Sequence, residues 1–343
     1  MKKIFALFAV AALVSFSGCK KDDPKPEQGN SSTPATPPAT TVLEGVFAPG
    51  AKIQTIKEDG DIMEMWTWTG SKLTVVTPYE NGAAVTAEAT SFEYDGKDRF
   101  SRIYDNEMEM TVGYSGDKLQ SITVNREGEE ALAITVTGRT GDKISKVDIN
   151  MSTDMIGDLM SEMMGDEEEN PVTGVEANAV LSWNGNNVSR AIVNINATLT
   201  MTLSQIAELP FVEPILEQYP AAQTVVAMFG NRQMNLLLKI ADTSDYTYDG
   251  KNNPFYGYLY ALDEFTMLSK ENVASASHAR SAAVELPSEL MALLAAAIPD
   301  MTQTMNYPIP SEPPATYTYE YNSANFPISR TDGETLTEYI YAE

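Results

Sequence analysis

The stretch FEYDGKDRFSRI, from Phe92 to Ile103, contains the pattern that decides the fold of this chain. Phe92 and Tyr94 lie on the same face of a predicted strand, because side chains alternate between the two faces of a sheet. Asp95-Gly96 follows, and an Asp-Gly pair favours the tight turn of a β-hairpin. The apolar residues after the turn then predict a returning strand.

Related units recur along the chain, so the hairpin is the building block of the whole domain. The other units are MWTWTGSKLTVV, VGYSGDKLQSITV, VTGRTGDKISKVDI, LSWNGNNVSRAIVNI, YTYDGKNNPF and YEYNSANFPISR. In VTGRTGDKISKVDI, Gly138 stands in the place of the aromatic residue. Seven such units predict a mainly β fold, an antiparallel meander of hairpins that forms a curved or partly closed sheet.

The apolar spacing after the turns contains a phase shift. In VGYSGDKLQSITV, Leu119 is followed by Ile122 and then by Val124, a spacing of three and then two. A regular strand alternates by two, so each returning strand contains one additional residue. We therefore predict a β-bulge or a similar irregularity just after each turn.

Three longer segments between the hairpins predict helices packed on the sheet. The first has a helical stripe of methionines between Met155 and Met164. The second begins at a capping box, Thr202 with Gln205, and contains three prolines that divide it into short helices. The third, from Ser288 to Ile298, is apolar nearly all round and too short to span a bilayer.

The N-terminus has the three parts of a secretion signal. Two lysines come first, an apolar run extends from Ile4 to Val14, and small residues precede Cys19. This pattern resembles a bacterial lipoprotein signal, which implies removal of residues 1–18 and acylation of Cys19. Cys19 is the single cysteine of the chain, so an intramolecular disulfide is excluded.

Residues 19–41 are predicted to form the acylated cysteine and a disordered tether, since most of them are Pro, Ser, Thr, Gly and Gln. Lys20-Lys21-Asp22-Asp23 resembles the export tags of Bacteroidetes surface lipoproteins, which implies an outer-membrane protein that faces outward. A plain solvated tether is the alternative. Residues 42–343 then form the β-repeat domain, as one sheet or as two sub-sheets with a break near residues 150–175.

Charge and residue counts exclude several functions. The formal net charge is −25, and such a surface repels the phosphate backbone of nucleic acids. His278 is the single histidine, which excludes a metal site built from several histidines. We expect His278 to lie in a loop and not to serve in a histidine-based triad. No pair of carboxylates stands out as a catalytic pair. We therefore expect a non-enzymatic protein with no catalytic site, no metal site and no cofactor.

Aromatic residues are the candidates for ligand binding. Tyrosines at alternate positions near residues 256–260 and 317–321 lie on one face of their predicted strands. Exposed rings would stack on a glycan or form an adhesive surface for a protein, whereas buried rings would fill the core. The candidate residues are Trp66, Trp68, Trp183, Tyr256, Tyr258, Tyr260, Tyr317 and Tyr319.

The methionine content supports a second hypothesis. The chain contains 17 methionines, and flexible thioethers suit adaptable apolar pockets. Helices lying over a curved sheet would then enclose a lipid-like apolar ligand. Ordinary filling of the core is the plainer interpretation of the same residues.

The hairpin units together with Cys19 resemble Bacteroidetes lipoproteins that carry a Tyr-Asp-type β-repeat domain of unknown function. The likeness covers most of residues 42–343, but its motif is degenerate and implies no activity. Cys19 is the one functional residue that the resemblance carries over. It implies a protein held at the membrane by its N-terminal lipid, with a glycan, a protein or an apolar molecule as the partner.

Overall fold

The computed structural model of the protein describes residues 51–153, 171–208, 213–257, 265–294, 298, 304–307 and 313–342. The predicted signal peptide (1–18), Cys19 with its tether (19–41) and the methionine stripe between Met155 and Met164 lie outside the described residues.

The described part of the chain is mainly β, with four short α-helices. The strands are β1 (Ile53–Glu58), β2 (Asp61–Thr69), β3 (Lys72–Glu80), β4 (Ala83–Ala84), β5 (Thr90–Tyr94), β6 (Phe100–Tyr104), β7 (Met108–Ser115), β8 (Lys118–Arg126), β9 (Glu129–Thr140), β10 (Lys143–Met151), β11 (Val172–Asn184), β12 (Asn187–Thr202), β13 (Gln233–Asn252), β14 (Glu271–Glu285), β15 (Thr304–Tyr307), β16 (Ala315–Thr316), β17 (Thr318–Tyr321), β18 (Pro327–Thr331) and β19 (Leu336–Tyr341). The helices are α1 (Leu203–Ala207), α2 (Glu213–Gln218), α3 (Pro220–Phe229) and α4 (Ser288–Leu294), and 3₁₀ turns lie at Thr86–Glu88 and Phe265–Leu268.

These strands form one antiparallel meander that closes on itself. Successive long strands are neighbours in the sheet, and β1 pairs with β19, with Ile53 opposite Tyr341. On the far side, β16 pairs with β14 and β17 pairs with β18; Tyr317, between them, donates its N–H to the carbonyl of Ala274. The predicted meander of hairpins is thus confirmed. β10 also pairs with β11, so hydrogen bonding joins the strands on either side of residues 152–171.

The core lies inside the closed sheet because each strand turns its apolar side chains to the same face. Leu73, Phe100 and Val124, from different hairpins, are each 0% exposed and belong to one core cluster. Phe255, on the connection between β13 and β14, contacts Trp66 of β2 and Tyr339 of β19, with ring centroids 6.3 and 5.8 Å away. The described start of that connection therefore lies inside the sheet and helps to fill it.

The predicted bulge is confirmed in the tight hairpins. The sixth predicted hairpin, YTYDGKNNPF, is wrong, because β13 continues through Asp249-Gly250 to Asn252 and its partner strand β14 begins only at Glu271. Tyr114 lies opposite Leu119 and Gly113 lies opposite Ser121, which leaves Gln120 as the additional residue. In the other hairpins, between β13 and β14, and between β1 and β19, one strand likewise has two residues opposite one residue of its partner. The additional residues there are Gln54, Thr74, Ser101, Ser145, Ser189, Ala274 and Ile328.

Side chains next to these bulges tie neighbouring hairpins together. The Tyr114 hydroxyl, for example, donates to the carbonyl of Phe100 at 2.9 Å. Equivalent bonds recur around the whole turn end of the sheet, and we call this set the rim belt. Among the described residues its donors and acceptors are Trp68 to Ile53, Tyr94 to Leu73, Tyr114 to Phe100, Arg139 to Leu119, Trp183 to Ile144, Tyr248 to Val188, Tyr319 to Val273 and Tyr341 to Pro327.

Removing one belt hydroxyl tests this stabilising role. Tyr94→Phe keeps the ring but loses the 3.0 Å bond to the carbonyl of Leu73, so we expect the free energy of unfolding to fall by about 1 kcal/mol. Urea unfolding followed by circular dichroism measures the change. Tyr104→Phe is the control, because the described residues offer its hydroxyl no hydrogen bond. Equal losses in the two variants would contradict the role of the belt.

The helices follow the local signals in the sequence. The capping box is confirmed: the Thr202 Oγ1 accepts the N–H of Gln205 at 3.3 Å, and the Gln205 side chain accepts the N–H of Thr202 at 2.8 Å. Proline separates the short helices as predicted, since α3 begins at Pro220 and α4 follows Pro287. Within the described ranges, no helix has the length and apolar character needed to cross a membrane.

The prediction that His278 lies in a loop is wrong. His278 belongs to β14, is half-buried, and its Nδ1 lies 3.0 Å from the Ser244 Oγ on β13. The surrounding run of small and polar residues has little strand propensity of its own. Pairing with β13 along nearly the whole length of β14 overrides that weak local preference.

Candidate functional site

The hairpin formed by β9 and β10 departs from the repeat. Arg139 lies opposite Ile144 in the sheet, just as Tyr114 lies opposite Leu119 in the preceding hairpin. The prediction that Gly138 replaces the aromatic residue is therefore wrong by one position, and Arg139 replaces it. The register of the strands decides which residue faces the neighbouring hairpin, and it aligns TGRTGDKI with VGYSGDKL.

Arg139 keeps the belt contact and adds a positive charge. Its Nη2 donates to the carbonyl of Leu119, and its Nη1 donates to the carbonyl of Asp142 at 3.0 Å. These contacts occupy two of the five N–H groups of a guanidinium, and the others have no protein acceptor among the described residues. Burial lowers the pKa of Arg139, although the charge of Asp142 opposes this shift. Arg139 is thus a cation drawn partly out of water.

A cavity of about 560 Å³ opens beside Arg139 at the turn end of the sheet, and we call it the rim cavity. The β9–β10 turn contributes Arg139 and Lys143, the β11–β12 turn follows Trp183, and the β13–β14 connection contributes Tyr256 and Lys270. Small-molecule sites in proteins usually measure about 300–1,000 Å³. The rim cavity is therefore large enough for a small ligand.

Buried polar contacts hold the connection that forms one wall of the rim cavity. The Asn253 Nδ2 donates to the carbonyls of Thr266 and Ser269, both at 3.0 Å. The Ser269 side chain is buried and accepts the N–H of Val188 on β12 at 2.9 Å. These bonds fix the two described ends of the connection to each other and to the sheet. Residues 258–264 lie outside the described residues.

Two lysines lie over the two aromatic rings of the rim cavity. The Lys143 Nζ is 5.5 Å from the centroid of the Trp183 ring, and the Lys270 Nζ is 5.9 Å from that of Tyr256. Both distances are in the range of cation–π attraction. Lys143 also donates to the carbonyl of Gly185, which links the two turns on either side of the cavity.

Positive charge predominates at the rim cavity, although the whole chain is strongly acidic. Among the described residues, its lining includes three cations, Arg139, Lys143 and Lys270, and one carboxylate, Asp142. Asp142 forms an ion pair with Lys118 at 2.6 Å, and the hydrogen bond and charge of Lys118 lower the pKa of Asp142. Lys118, which does not line the cavity, thus offsets the charge of Asp142, and Arg139 and Lys143 give the described part of the lining a positive charge.

The floor of the rim cavity is apolar. A smaller hollow of about 40 Å³ adjoins it inside the sheet. Leu119, Ile144, Met267 and Leu268 line both spaces. The site thus combines a charged, aromatic mouth with an apolar floor that continues toward the core.

Several of the aromatic candidates serve the sheet. Trp66 is 4% exposed and packs in the core. Trp68 and Tyr319 are half-buried donors of the rim belt. Tyr317 is half-buried, with the guanidinium carbon of Arg330 5.2 Å from the centroid of its ring.

Trp183 and Tyr256 are the two candidates that the fold brings together, because both line the rim cavity. Trp183 has a double role, since its Nε1 also donates to the carbonyl of Ile144 at 2.7 Å. Tyr258, Tyr260 and Cys19 lie outside the described residues.

Sequence reasoning missed the three cations Arg139, Lys143 and Lys270. A comparison of TGRTGDKI with VGYSGDKL could have found Arg139, because it shows an arginine where the other unit has tyrosine. No comparable signal marks Lys270, which lines the cavity from the described end of the β13–β14 connection.

Comparisons with known proteins give little further information. No protein-family model matches the chain, and no curated protein matches it. Among solved structures, the chain is similar to a porin-like protein from Bacteroides uniformis, at 13% sequence identity and a TM-score of 0.28, over 86% of this chain and 99% of that chain. A TM-score this low does not establish a shared fold, and nothing about the function of this chain follows from it.

Proposed function

We propose that this protein is a non-enzymatic lipoprotein of the cell envelope that binds a small molecule in the rim cavity. In this proposal the acylated Cys19 anchors the chain in the outer membrane, and the tether over residues 19–41 holds the closed β domain on the outer surface of the cell. An apolar part of the ligand would rest on the floor of the cavity. This is the carrier function that the methionine content also favours.

The break in the repeat carries the proposal. Rings at the other belt positions are accounted for by the bonds they make between hairpins. Arg139 stands at the position where an aromatic residue is replaced, and the rim cavity opens beside it. The rings that recur around the sheet are explained by the stability of the sheet. Arg139 occurs at one position of the repeat and therefore indicates a more specific role.

The two faces of the sheet support a domain that sits in water beside the membrane. Ile134 and Ile149 are buried inside, while Thr135 and Asp148 are exposed outside. Strands that face lipid show the opposite alternation, with apolar side chains outward. The outer side chains of this hairpin are therefore polar, and in this proposal the lipid on Cys19 attaches the domain to the membrane.

The chemistry of the rim cavity supports binding over catalysis. Acid–base hydrolysis of a glycoside uses two carboxyl groups that flank one bond. The described lining of the rim cavity contains one carboxylate, Asp142, and that group is paired with Lys118.

A glycan or a protein partner at the same rim is the second candidate. Trp183 and Tyr256 favour it, because aromatic rings at the mouth of a cavity can stack on a sugar or pack against a protein side chain. The lysines above both rings leave less ring surface for such stacking, so we rank the small apolar ligand first.

Filling the mouth of the rim cavity tests the proposal. Thr140 is exposed and lines the cavity, so Thr140→Trp should fill the mouth without disturbing the core. Native mass spectrometry of the protein purified from its own host should show a bound small molecule. We expect the bound fraction to fall at least about tenfold in the variant, which corresponds to about 1.4 kcal/mol.

Thr135→Trp is the matched control, because Thr135 is exposed on the same strand and points away from the cavity. It should keep the ligand. Wild-type protein that carries no small molecule, or equal ligand loss in both variants, would contradict the proposed site. Protease added to intact cells tests the orientation separately: it should remove the domain, and full protection would contradict surface exposure.

A further inference from the structure

We propose that the ligand of the rim cavity is a monocarboxylate with an apolar tail. This inference rests on the proposed small-molecule function of the cavity and adds the chemical class of the ligand. It places the carboxylate among Arg139, Lys143 and Lys270, and the tail on the floor formed by Leu119, Ile144 and Met267.

Arg139 is the residue that favours a carboxylate. A guanidinium presents its N–H groups in a planar fork that can bind both oxygens of a carboxylate. Two of those groups are used by the carbonyls of Leu119 and Asp142, and the rest have no protein acceptor among the described residues. Because Arg139 is partly desolvated, an anion placed beside it gains more than it would from a fully hydrated arginine.

The position of the lysines favours the same charge. Lys143 and Lys270 each lie over an aromatic ring at the mouth, where the ring holds the ammonium group near the cavity. Arg139 and Lys143 line this part of the cavity, and the one carboxylate among its described lining residues, Asp142, is paired with Lys118, in a chain with 48 acidic and 23 basic residues. A neutral apolar ligand would gain no charge–charge attraction from these cations.

A single negative charge fits better than a multiple one. The chain has a net charge of −25, so its overall field repels anions and the repulsion grows with the charge of the ligand. Short-range contacts with the three cations can outweigh this field for one carboxylate, because charges farther than about 10 Å away are largely screened at 0.1 M salt.

The floor of the cavity selects for a tail. Leu119, Ile144, Met267 and Leu268 continue from the rim cavity to the adjoining hollow of about 40 Å³. Each CH₂ group buried there would contribute about 0.8 kcal/mol to binding. A carboxylate without a tail, such as acetate, would use the cations and leave this surface in water.

Calorimetric titration of the full mature chain with four probes tests the inference. The probes are octanoate, octanol, octylammonium and acetate, which separate the charge from the tail. We expect octanoate to bind at least about tenfold more tightly than octanol, a difference of about 1.4 kcal/mol. Octylammonium and acetate should bind too weakly to detect.

Two double variants then locate the charge. Lys143→Gln with Lys270→Gln should remove most of the preference for octanoate over octanol while keeping the binding of octanol. Lys72→Gln with Lys251→Gln is the matched control, because these lysines also lie over aromatic rings, at 5.2 and 6.0 Å, but do not line the cavity. The control variant should keep the full preference.

The outcomes separate this inference from the proposed function. Equal affinity for octanol and octanoate would overturn the carboxylate and leave the small-molecule site standing. If no probe binds but the protein from its host carries another molecule, the carboxylate is also overturned and the small-molecule site is kept. Failure of every probe on a protein that is also free of ligand in its host would overturn both.

Discussion

Replacing Phe100 by alanine is expected to lower the free energy of unfolding by about 3–5 kcal/mol. Phe100 is 0% exposed, and its ring centroid lies 5.7 Å from that of Phe92 and 5.0 Å from that of Tyr94. The three rings come from the one hairpin, FEYDGKDRFSRI, and pack inside the closed sheet. Alanine would leave a cavity that the surrounding strands cannot close, because their register is fixed by the bulges.

Urea unfolding followed by circular dichroism measures this loss. Phe229→Ala is the control, since Phe229 is 38% exposed at the end of α3 and its truncation should cost less than about 1 kcal/mol. A loss below about 1 kcal/mol for Phe100→Ala would show that the interior is looser than the contacts indicate.

Replacing Arg99 by methionine is expected to cost about 2–4 kcal/mol. The Arg99 guanidinium donates to the Asp95 Oδ2 through Nε at 2.8 Å and to the carbonyl of Gly116 through Nη1 at 2.7 Å. It also lies 3.9 Å from the centroid of the Tyr114 ring. Arg99 thus joins the turns of two neighbouring hairpins, and methionine would leave Asp95 without its cation. The 24% exposure of the Asp95 side chain keeps the expected cost moderate.

The effect of Arg99→Met should depend on pH. Desolvation would raise the pKa of Asp95, but hydrogen bonds from Arg99 and from the backbone N–H of Lys97 outweigh it and hold the pKa below 3.8. Because the folded-state pKa is depressed, the stabilisation is present above pH 3.8 and is lost as the pH falls through the folded-state value. The difference between wild type and variant should therefore narrow in acid.

Lys97→Met is the control for this prediction. Lys97 lies in the same turn, but it pairs with Asp117 across an exposed surface, with side-chain exposures of 59% and 70%. Such a pair contributes about 0–1 kcal/mol at most. Similar losses for the two variants at neutral pH, or a loss for Arg99→Met that does not change below pH 3.8, would contradict the role given to Arg99.

The elements that depend on neighbouring residues could be predicted from the sequence. The turn of FEYDGKDRFSRI needs Asp-Gly chemistry, and the capping box needs Thr202 and Gln205 three residues apart. The bulge after each turn could be predicted too, because an additional residue in a strand changes the spacing of its apolar side chains. Each of these signals lies within about ten residues of the structure it specifies.

The candidate site could be predicted only in part. Trp183 and Tyr256 were among the aromatic candidates, but nothing in their local sequence separates them from Trp66, which lies in the core. Trp183, a ring of the cavity, has the same spacing from its turn glycine as the belt rings Trp68 and Tyr114. Whether a ring lines the cavity or packs in the core depends on the neighbouring hairpin and on the described ends of the β13–β14 connection.

The sequence by itself determined the repeated hairpin, its turn and its bulge, and so the mainly β class of the fold. The tertiary structure alone decided that β1 pairs with β19 and that Arg139, Trp183 and Lys270 surround one cavity. Hairpins form between residues close in the chain, so their signals are local and repeat. Closure of the sheet and formation of the rim cavity depend on contacts between residues that are distant in the chain. The substitution of Arg139 for an aromatic residue therefore becomes interpretable only in the folded structure.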